Sequence, residues 1–520
     1  MLLEQKDRHV IPRWRDFRTT LELGELENAR APEPISSDDK EAIARRVEEF
    51  EAYGDIWHAA DLLSSAFVIG DSESADLARK FILANQKGAP KGLLHFASGI
   101  SNGEVPDDLS TLKKDERQRI FHQIRTRLSS EPRNAILWVE LSRLYSLQGN
   151  SRRALRAMIA AANLAPDNRF VVRSAARLFL HERDGPTALK IIRRAAGAKR
   201  DPWLLAAEIA VASASGKATL FAKIGANRNE DNNISPFART ELSSALATLE
   251  MENGKTRKAR QLFRQSLEGP NENSVAQVEW ANRQIGGLEL DKSALSVPRS
   301  FEATANLNLI AGEWNPAVAH GMEWLRDQPF SKRPALFTSY VSSLIEDYET
   351  SISILRQSLS ANPDDPSLIN NLAFALGSVD QLEEADSLLR KMDLTETSQL
   401  SSITLPATTG LLFFRWGLPE FGRRMYELAA TRAARQGNIK YRTLARLYLA
   451  REELLASTPT AEMAVNLALV EASKREDEDK EVAFVAAQVR KLEEAAKSDR
   501  PQPQRPPRIG IPSVSKTMVG

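Results

Sequence analysis

The sequence predicts an all-α fold, an array of helical hairpins with an extended arm before it and a disordered tail after it. Apolar residues recur at i, i+3, i+4 and i+7 along most of the chain, whereas the period-2 alternation typical of strands is scarce. Helix-length stretches of roughly 12–16 residues alternate with Gly, Asn, Asp or Pro, which end helices and turn the chain. The chain has 520 residues, which is too long for one ordinary core and favours a repeat array.

Composition and charge exclude several classes of protein. Hydrophobic residues make up 42% of the chain, which is enough to form a core and excludes global disorder. Cysteine is absent, which excludes disulfide scaffolds, thiol catalysis and Cys-ligated metal sites and is compatible with an intracellular bacterial protein. The first residues mix charges where a signal peptide is apolar, and no stretch predicts a membrane span. We therefore expect a cytoplasmic protein with no membrane partner.

The first 130 residues divide into two parts. Residues 1–40 predict an arm and linker, because 10–18 are extended, aromatic and basic and 31–34 contain two prolines. We expect Trp14 and Phe17 of this arm to be buried against the helices that follow. Residues 41–130 predict a helical region, with helices at 41–67 and 74–85, that forms a cap or degenerate repeats.

The clearest repeat covers residues 135–168 and consists of two predicted helices. Gly149 and Asn150 separate the helices, and Pro166 ends the second. Apolar or small residues at helical spacing lie on the faces that we expect to meet, namely Trp138, Leu141, Ser142, Tyr145, Ala154, Met158 and Ala161. Small residues at three of these positions let the helices approach closely, and large ones fill the space between hairpins.

This pattern resembles the tetratricopeptide repeat (TPR), a helix–turn–helix unit of about 34 residues. Units that begin at Arg169 and Pro366 match it in the same register, with Val172, Ala175, Ala176, Phe179, Ala188, Ile192 and Ala195 in one and Ile369, Leu372, Ala373, Leu376, Ala385 and Leu389 in the other. Further hairpins are marked by Gly254, Ala259 and Phe263, by Gly312 and Ala317, and by Gly410, Gly422 and Tyr426. The resemblance covers 131–470, with degenerate repeats near 201–235 and 275–300.

The end of the chain has a different composition. We expect a C-terminal helix within 471–497, because apolar residues keep a helical spacing there. Prolines crowd residues 500–507, where they remove backbone donors and prevent a helix from continuing. We therefore predict that 498–520 form a disordered, Pro-rich tail.

Motifs that carry catalysis, metals or cofactors are missing. The six histidines are scattered without the spacing of a zinc site, and there is no phosphate-binding glycine loop or nucleophile elbow. We therefore expect no enzymatic activity, no metal and no cofactor.

The resemblance implies a concave groove, lined by the first helix of each hairpin, that binds an extended peptide or a partner helix. The residues at the groove positions, which we predict to bind the partner, are Arg143, Arg173, Arg177, His181, Asn371, Arg442 and Arg446. Arginine holds carboxylates in a bidentate fork, which favours an acidic partner segment, and the resemblance implies that the Asn hydrogen-bonds a bound backbone. The alternative is that these arginines pair with acidic residues of neighbouring repeats, which for 173 and 177 would be Glu182, Asp184 or Glu208.

Two functions follow from these observations. The first is a non-enzymatic scaffold or adaptor that binds an acidic segment of another protein, or a second copy of itself, and is compatible with a regulatory subunit of a larger complex. The alternative is a nucleic-acid-associated protein. Residues 111–200 carry 20 Lys and Arg against 7 Asp and Glu, and the aromatic–basic arm offers side chains that could stack on bases.

Overall fold

The computed structural model describes residues 8–15, 37–69, 71–89, 93–94, 97, 114–392 and 401–497. These residues contain 25 α-helices and no β-strand, which confirms the predicted all-α fold. The predicted tail and residue 17 of the arm lie outside them. The chain divides into two compact units. The N-terminal unit holds the described residues of 5–306 together with Met322–Ser331, and the C-terminal unit holds Leu307–Gly321 and the described residues from Lys332 onward.

The N-terminal unit begins with four helices and continues as helical hairpins. The first helices are α1 (Ser37–Tyr53), α2 (Ile56–Ile69), α3 (Ser72–Ala84) and α4 (Lys114–Ser130), with a short 3-10 turn at Gln86–Gly88. The hairpins that follow are α5 (Ala135–Leu147) with α6 (Ser151–Leu164), α7 (Arg169–His181) with α8 (Gly185–Arg194), α9 (Pro202–Ala214) with α10 (Ala222–Asn229), and α11 (Pro236–Glu252) with α12 (Thr256–Ser266). Next come α13 (Glu272–Ile285) and the short α14 (Lys292–Leu295).

Two helices, α15 (Phe301–Ala311) and α16 (Trp314–Asp327), contribute residues to both units. The C-terminal unit continues with α17 (Lys332–Leu344) and α18 (Tyr348–Ala361), α19 (Pro366–Ser378) and α20 (Leu382–Lys391), α21 (Ser401–Arg415) and α22 (Pro419–Arg435), and α23 (Ile439–Leu455) and α24 (Ala461–Ala472). The last helix, α25 (Lys480–Lys497), packs against α23 and α24, and it lies within the predicted 471–497.

Helix starts in the array are set by side chains that cap the backbone. Asn134, Asn168 and Asp201 precede α5, α7 and α9, and each accepts a hydrogen bond from a backbone N–H in the first turn at 2.9–3.3 Å. Such caps satisfy donors that a helix cannot pair internally. The same position relative to each hairpin is therefore marked by the same kind of residue.

The small residues of the predicted repeats lie where two helices meet. Ala154, Ala188 and Ala385 are fully buried on the second helices of their hairpins. Ser142 of α5 donates a hydrogen bond to the carbonyl of Ala154 at 2.8 Å, so the two helices are in direct contact there. Gly410 of α21 and Gly422 of α22 approach still closer, since a Cβ on either would lie within 3.0 Å of the other's carbonyl oxygen. The array is therefore TPR-like in its packing.

The irregular repeats are shorter in their second helices. α10 has 8 residues and α14 has 4, at the two places where the sequence predicts degenerate repeats. A Cβ on Gly225 of α10 would lie 3.1 Å from the side chains of Ile209 and Leu242, so this glycine permits close packing. The predicted helix at 41–67 is divided into α1 and α2, because Gly54 adopts a positive φ of 58° between them.

Candidate functional site

The arginines predicted to line a groove in the N-terminal unit are already engaged within that unit. Arg143 is 1% exposed. Arg173 donates from Nη2 to Glu241 Oε2 at 2.9 Å and from Nη1 to the carbonyl of Trp203 at 3.2 Å. Its guanidinium also lies 5.1 Å from the centre of the Trp203 ring. The partner of Arg173 is thus on α11, farther along the chain than the acidic residues that the sequence suggested.

Arg177 and His181 share a face of α7, as their spacing predicts, and both contact Phe330. The Arg177 guanidinium lies 4.8 Å from the centre of that ring, and the His181 ring meets it edge-on at 5.7 Å. The third contact is Trp14 of the arm, whose ring centre is 5.2 Å away. These residues therefore form part of a buried cluster around Phe330.

The extended arm, residues 8–15, lies in the N-terminal unit, with five of its residues buried and three half-buried. Trp14 is fully buried, which confirms the expectation for that residue. Arg8 binds Glu302 in a bidentate arrangement, with Nε–Oε1 and Nη2–Oε2 distances of 3.0 and 2.9 Å. Arg13 donates to the same carboxylate at 2.8 Å. One glutamate of α15 therefore receives two arginines of the arm.

The remaining arginine of the arm binds two other carboxylates. Arg15 forms a second bidentate pair, with Asp327 at the end of α16, at 2.6 and 2.9 Å. Its Nη2 also lies 2.8 Å from Glu272 Oε1. Arg13 reaches Asp327 at 3.5 Å. Three arginines are thus matched by three carboxylates, each supplied by a different helix.

The backbone of the arm is held by two amide side chains of α13. Asn273 donates from Nδ2 to the carbonyl of Ile11 at 3.0 Å, and Gln277 donates from Nε2 to the carbonyl of Arg8 at 2.7 Å. Because these two residues are four positions apart, they lie on one face of the helix. We call the surface formed by Glu272, Asn273, Gln277, Glu302, Asp327 and Phe330 the arm groove.

Burial and charge act in opposite directions on the acids of the arm groove. Burial alone would raise the pKa of Asp327, but the charges of Arg15 and Arg13 and the hydrogen bonds from Arg15 hold that pKa at about 2. The same two arginines outweigh burial at Glu272 and lower its pKa. The neighbouring Glu279 differs, because burial outweighs the charge of Arg283 and raises its pKa to about 7. Asp327 and Glu272 are therefore ionised.

Sequence reasoning missed the arm groove. It anticipated a buried Trp14, but none of the five arginines, the histidine and the asparagine predicted to bind a partner belongs to this groove, whose polar residues are acids and amides. Asn273 and Gln277, four residues apart in the sequence, were the available signal, because amides on one helix face can bind a backbone. The other signal was the presence of Arg8, Arg13 and Arg15 within one short segment of the arm.

In the C-terminal unit, Arg442 and Arg446 of α23 share a single acid. Arg442 Nε lies 2.5 Å from Glu471 Oε1, and Arg446 hydrogen-bonds the other oxygen of the same carboxylate. Burial and the charge of Arg442 lower the pKa of Arg446. Two guanidinium groups therefore compete for one carboxylate on α24.

Asn371, the remaining predicted residue, lines a pocket in the C-terminal unit. The cavity itself is small, about 30 Å³, and the surrounding space not filled by atoms, about 490 Å³, includes open solvent. We call it the α19 pocket, and its walls are Tyr340, Ser343, Leu344, Asn370, Asn371, Phe374, Thr404, Ala407, Thr408, Tyr426 and Tyr448. Its lining combines aromatic rings with amides and hydroxyls, which is typical of sites that bind polar groups in a partly apolar setting.

Two polar atoms at the walls of the α19 pocket have no hydrogen-bond partner within the described chain. They are Oδ1 of Asn370, which is 6% exposed, and the hydroxyl of Tyr426, which is 1% exposed. Burial raises the pKa of Tyr426 well above its usual value, so the hydroxyl keeps its proton. One buried acceptor and one buried donor at the pocket wall are therefore left unsatisfied within the described chain.

Metal and membrane sites are not found in the described ranges. No group of three or more His, Asp or Glu residues is placed there to hold a metal ion. None of the described helices is long and apolar enough to cross a membrane.

Comparisons with known proteins give a likeness of fold only. No protein-family model and no curated protein matches the chain. The chain is similar to yeast Tom70 (12% identity, 86% of this chain and 96% of that one, TM-score 0.28) and to the Cut9–Hcn1 hetero-tetramer of APC/C (12%, 91% and 96%, TM-score 0.32). It is also similar to the TPR domain of P58(IPK) (12%, 70% and 99%, TM-score 0.21). At these TM-scores the likeness carries no argument about function.

Proposed function

We propose that this protein is a non-enzymatic interaction scaffold and that the α19 pocket binds an extended segment of a partner protein. The observation that carries the proposal is the pair of unsatisfied groups at the pocket wall, Asn370 Oδ1 and the Tyr426 hydroxyl. A buried polar group without a partner costs about 1–3 kcal/mol, so a ligand that satisfies it recovers that cost.

An extended peptide matches these two groups chemically. The Asn370 oxygen only accepts a hydrogen bond, whereas the protonated Tyr426 hydroxyl can donate one. Each peptide group carries an N–H donor and a C=O acceptor, and an extended strand leaves both free for a partner. The rings of Phe374 and Tyr448, which meet edge-on at 5.9 Å, provide apolar contact for a side chain of the segment.

The acidic character of the segment is a further part of the proposal, and Arg442 and Arg446 support it. These arginines share one carboxylate, so the pair keeps an excess of positive charge. They lie on α23, the helix that also supplies Tyr448 to the pocket. A carboxylate of the bound segment would accept hydrogen bonds from the guanidinium groups that Glu471 leaves free. We also propose that the protein is cytoplasmic and acts as a regulatory subunit of a larger complex.

The other predicted residues favour a structural role over an open groove. Arg143, Arg173, Arg177 and His181 are buried or bound within the N-terminal unit. Two observations weaken the nucleic-acid alternative, because Trp14 is buried and several arginines of the basic block pair with acids outside it. Examples are Arg169 with Asp201 at 2.5 Å and Arg193 with Glu208 at 2.5 Å. Neither observation favours binding to a phosphate backbone.

Peptides selected from a random display library on the full chain test the pocket. Asn370→Leu removes the acceptor at similar volume, and Tyr426→Phe removes only the hydroxyl. We expect each variant to weaken a selected peptide by at least about tenfold while its melting temperature stays equal or rises, because an unsatisfied polar group is lost. Asn163→Leu, at an exposed position on α6, is the matched control. Unchanged affinity in both variants would exclude the pocket, and a large loss of stability would show that these groups are paired in the fold.

The acidic preference is tested separately. Selected peptides should be enriched in Asp and Glu, and the double variant Arg442→Gln with Arg446→Gln should bind them more weakly and with less dependence on salt. If the selected peptides lack acidic residues, the acidic preference is wrong. The proposal then keeps only the recognition of a peptide backbone.

A further inference from the structure

The contacts of the arm are those of a bound ligand rather than those of a core segment. Residues 8–15 have no regular secondary structure, and their guanidinium groups and backbone carbonyls form hydrogen bonds with side chains of distant helices. Buried ion pairs contribute little net stability compared with apolar packing, but they specify which group binds. A surface made of three carboxylates and two amides therefore has the chemistry of a recognition site.

Without a positively charged occupant, the carboxylates of the arm groove would lose the arginines that balance their charge. Glu272, Glu302 and Asp327 receive guanidinium groups from the arm at 2.6–2.9 Å. The low pKa of Asp327 depends on Arg15 and Arg13. If the arm leaves, three buried or partly buried carboxylates face one another across a short distance, and such a cluster favours a positively charged replacement. An acidic or neutral segment would not satisfy it.

The contacts also define the shape of an occupant. Asn273 and Gln277 bind backbone carbonyls, so any extended segment can use them. The slot beside Phe330 holds a flat aromatic ring, and the bidentate pairs at Glu302 and Asp327 require arginine geometry rather than a point charge. The groove therefore fits an extended segment in which arginines flank a tryptophan.

We propose that residues 8–15 are an exchangeable ligand carried within the chain, and that the external ligand of the arm groove is an arginine- and tryptophan-containing extended segment of a partner protein. Because the arm and the groove belong to one chain, the arm has the advantage of an intramolecular ligand and keeps the groove closed to weaker competitors. This proposal concerns the N-terminal unit and does not depend on the α19 pocket.

The experiment cuts the chain between the arm and α1 and then asks whether the arm exchanges. A protease site is placed between residues 16 and 36 of the full chain, the folded protein is cleaved, and a fluorescent synthetic peptide of residues 8–15 is added in excess. We expect the labelled peptide to replace the cleaved arm and to bind the remainder with a salt-dependent affinity, whereas uncleaved protein binds it at least about tenfold more weakly. Circular dichroism before and after cleavage reports the fold.

Matched variants locate the binding. Glu302→Gln should weaken the peptide by at least about tenfold, because it removes the bidentate partner of Arg8, whereas Glu268→Gln at an exposed pair should not. A peptide with Trp14→Ala should also bind more weakly. The proposal is overturned if the cleaved arm neither dissociates nor exchanges, or if helicity is lost when it leaves. A concentration-dependent dimer of the full chain that requires Trp14 would make a second copy the occupant, and would overturn the assignment to a partner protein.

Discussion

Glu279 is a buried acid whose pKa of about 7 makes the stability of the N-terminal unit depend on pH. Its ordinary value is 4.5, so between these two values the folded chain binds more protons than the unfolded chain. Stability should therefore be greatest near or below that ordinary value and fall as the pH rises through about 7. We expect Glu279→Gln to remove this fall of the unfolding free energy with pH. The variant should be more stable than the original protein near pH 8, by on the order of 3 kcal/mol at most.

Urea unfolding at several pH values between about 5 and 8 checks the effect of Glu279→Gln. Glu268→Gln, at an acid that is 52% exposed, is the control and should leave the slope unchanged. An identical slope in the Glu279 variant would mean that this carboxylate is already ionised at neutral pH.

Arg173 and Arg177 are bound within the fold, and reversing their charges should destabilise it. Arg173→Glu would place a carboxylate against Glu241, and Arg177→Glu would remove the cation that lies over Phe330. Breaking a buried ion pair by changing one partner costs about 3–5 kcal/mol, so we expect the change at Arg173 in particular to cause a marked loss of stability in chemical denaturation. Arg156→Glu, on an exposed position of α6, serves as control. A double variant that keeps its stability and loses a partner would instead support the groove predicted from the sequence.

At this scale the sequence predicts which residues share a helix face but not what they touch. The spacing of Arg173, Arg177 and His181 correctly places them together on α7. Their partners, Glu241 and Phe330, come from helices far along the chain, and helical periodicity contains no information about such neighbours. The sequence therefore identified interaction-prone residues without distinguishing an internal contact from an external one.

Among the helices, the contact between α5 and α6 is the sharpest test of the repeat register. Ala154 is fully buried where the two helices cross, and the Ser142 hydroxyl bonds to its carbonyl. We expect Ala154→Trp to destabilise the protein by about 1–3 kcal/mol or more, because overpacking forces neighbouring side chains and backbone to move. Thermal or urea unfolding measures the effect. Ile159→Trp, on the exposed face of the same helix, should be nearly neutral, and equal behaviour of the two variants would show that the register is wrong.

Regular helices could be predicted from the sequence, whereas irregular ones could not be placed in detail. Buried alanines at recurring positions predicted the hairpins α5–α6, α7–α8 and α19–α20. The shortness of α10 and α14 was visible only as a weak pattern, because a short helix contributes few apolar positions. Gly54 divides α1 from α2 through its positive φ, a backbone property that a continuous apolar pattern conceals.

Over the whole chain, α25 is the last helix that the structure describes, and it contributes to the core of the C-terminal unit. Val482, Val485 and Val489 of α25 are buried in the core of the C-terminal unit. We expect deletion of residues 498–520 to leave the melting temperature nearly unchanged, because prolines there cannot continue the helix. Deletion of residues 480–520 should lower it strongly, since it removes those valines. A large loss on the shorter deletion would show that the tail packs.

The division into two units and the position of the arm were beyond sequence reasoning. The unit boundaries fall within α15 and α16, where the apolar pattern continues without a linker. The arm reaches its acids across most of the N-terminal unit, with 294 residues between Arg8 and Glu302. Only complementary chemistry connects such distant segments, and one sequence offers many acids with which an arginine could pair.

The separation of Arg8 from Glu302 also orders events during translation. Ribosomes add roughly 5–20 residues per second, so the arm leaves the ribosome about 15–60 s before the helix that receives it has been made. Throughout that interval a tryptophan and three arginines are available to chaperones, to nascent neighbours and to any acidic surface nearby. A chain that stalls before residue 302 would keep them available. The contacts between the arm and α15 therefore cannot form until a further 294 residues have been added after Arg8.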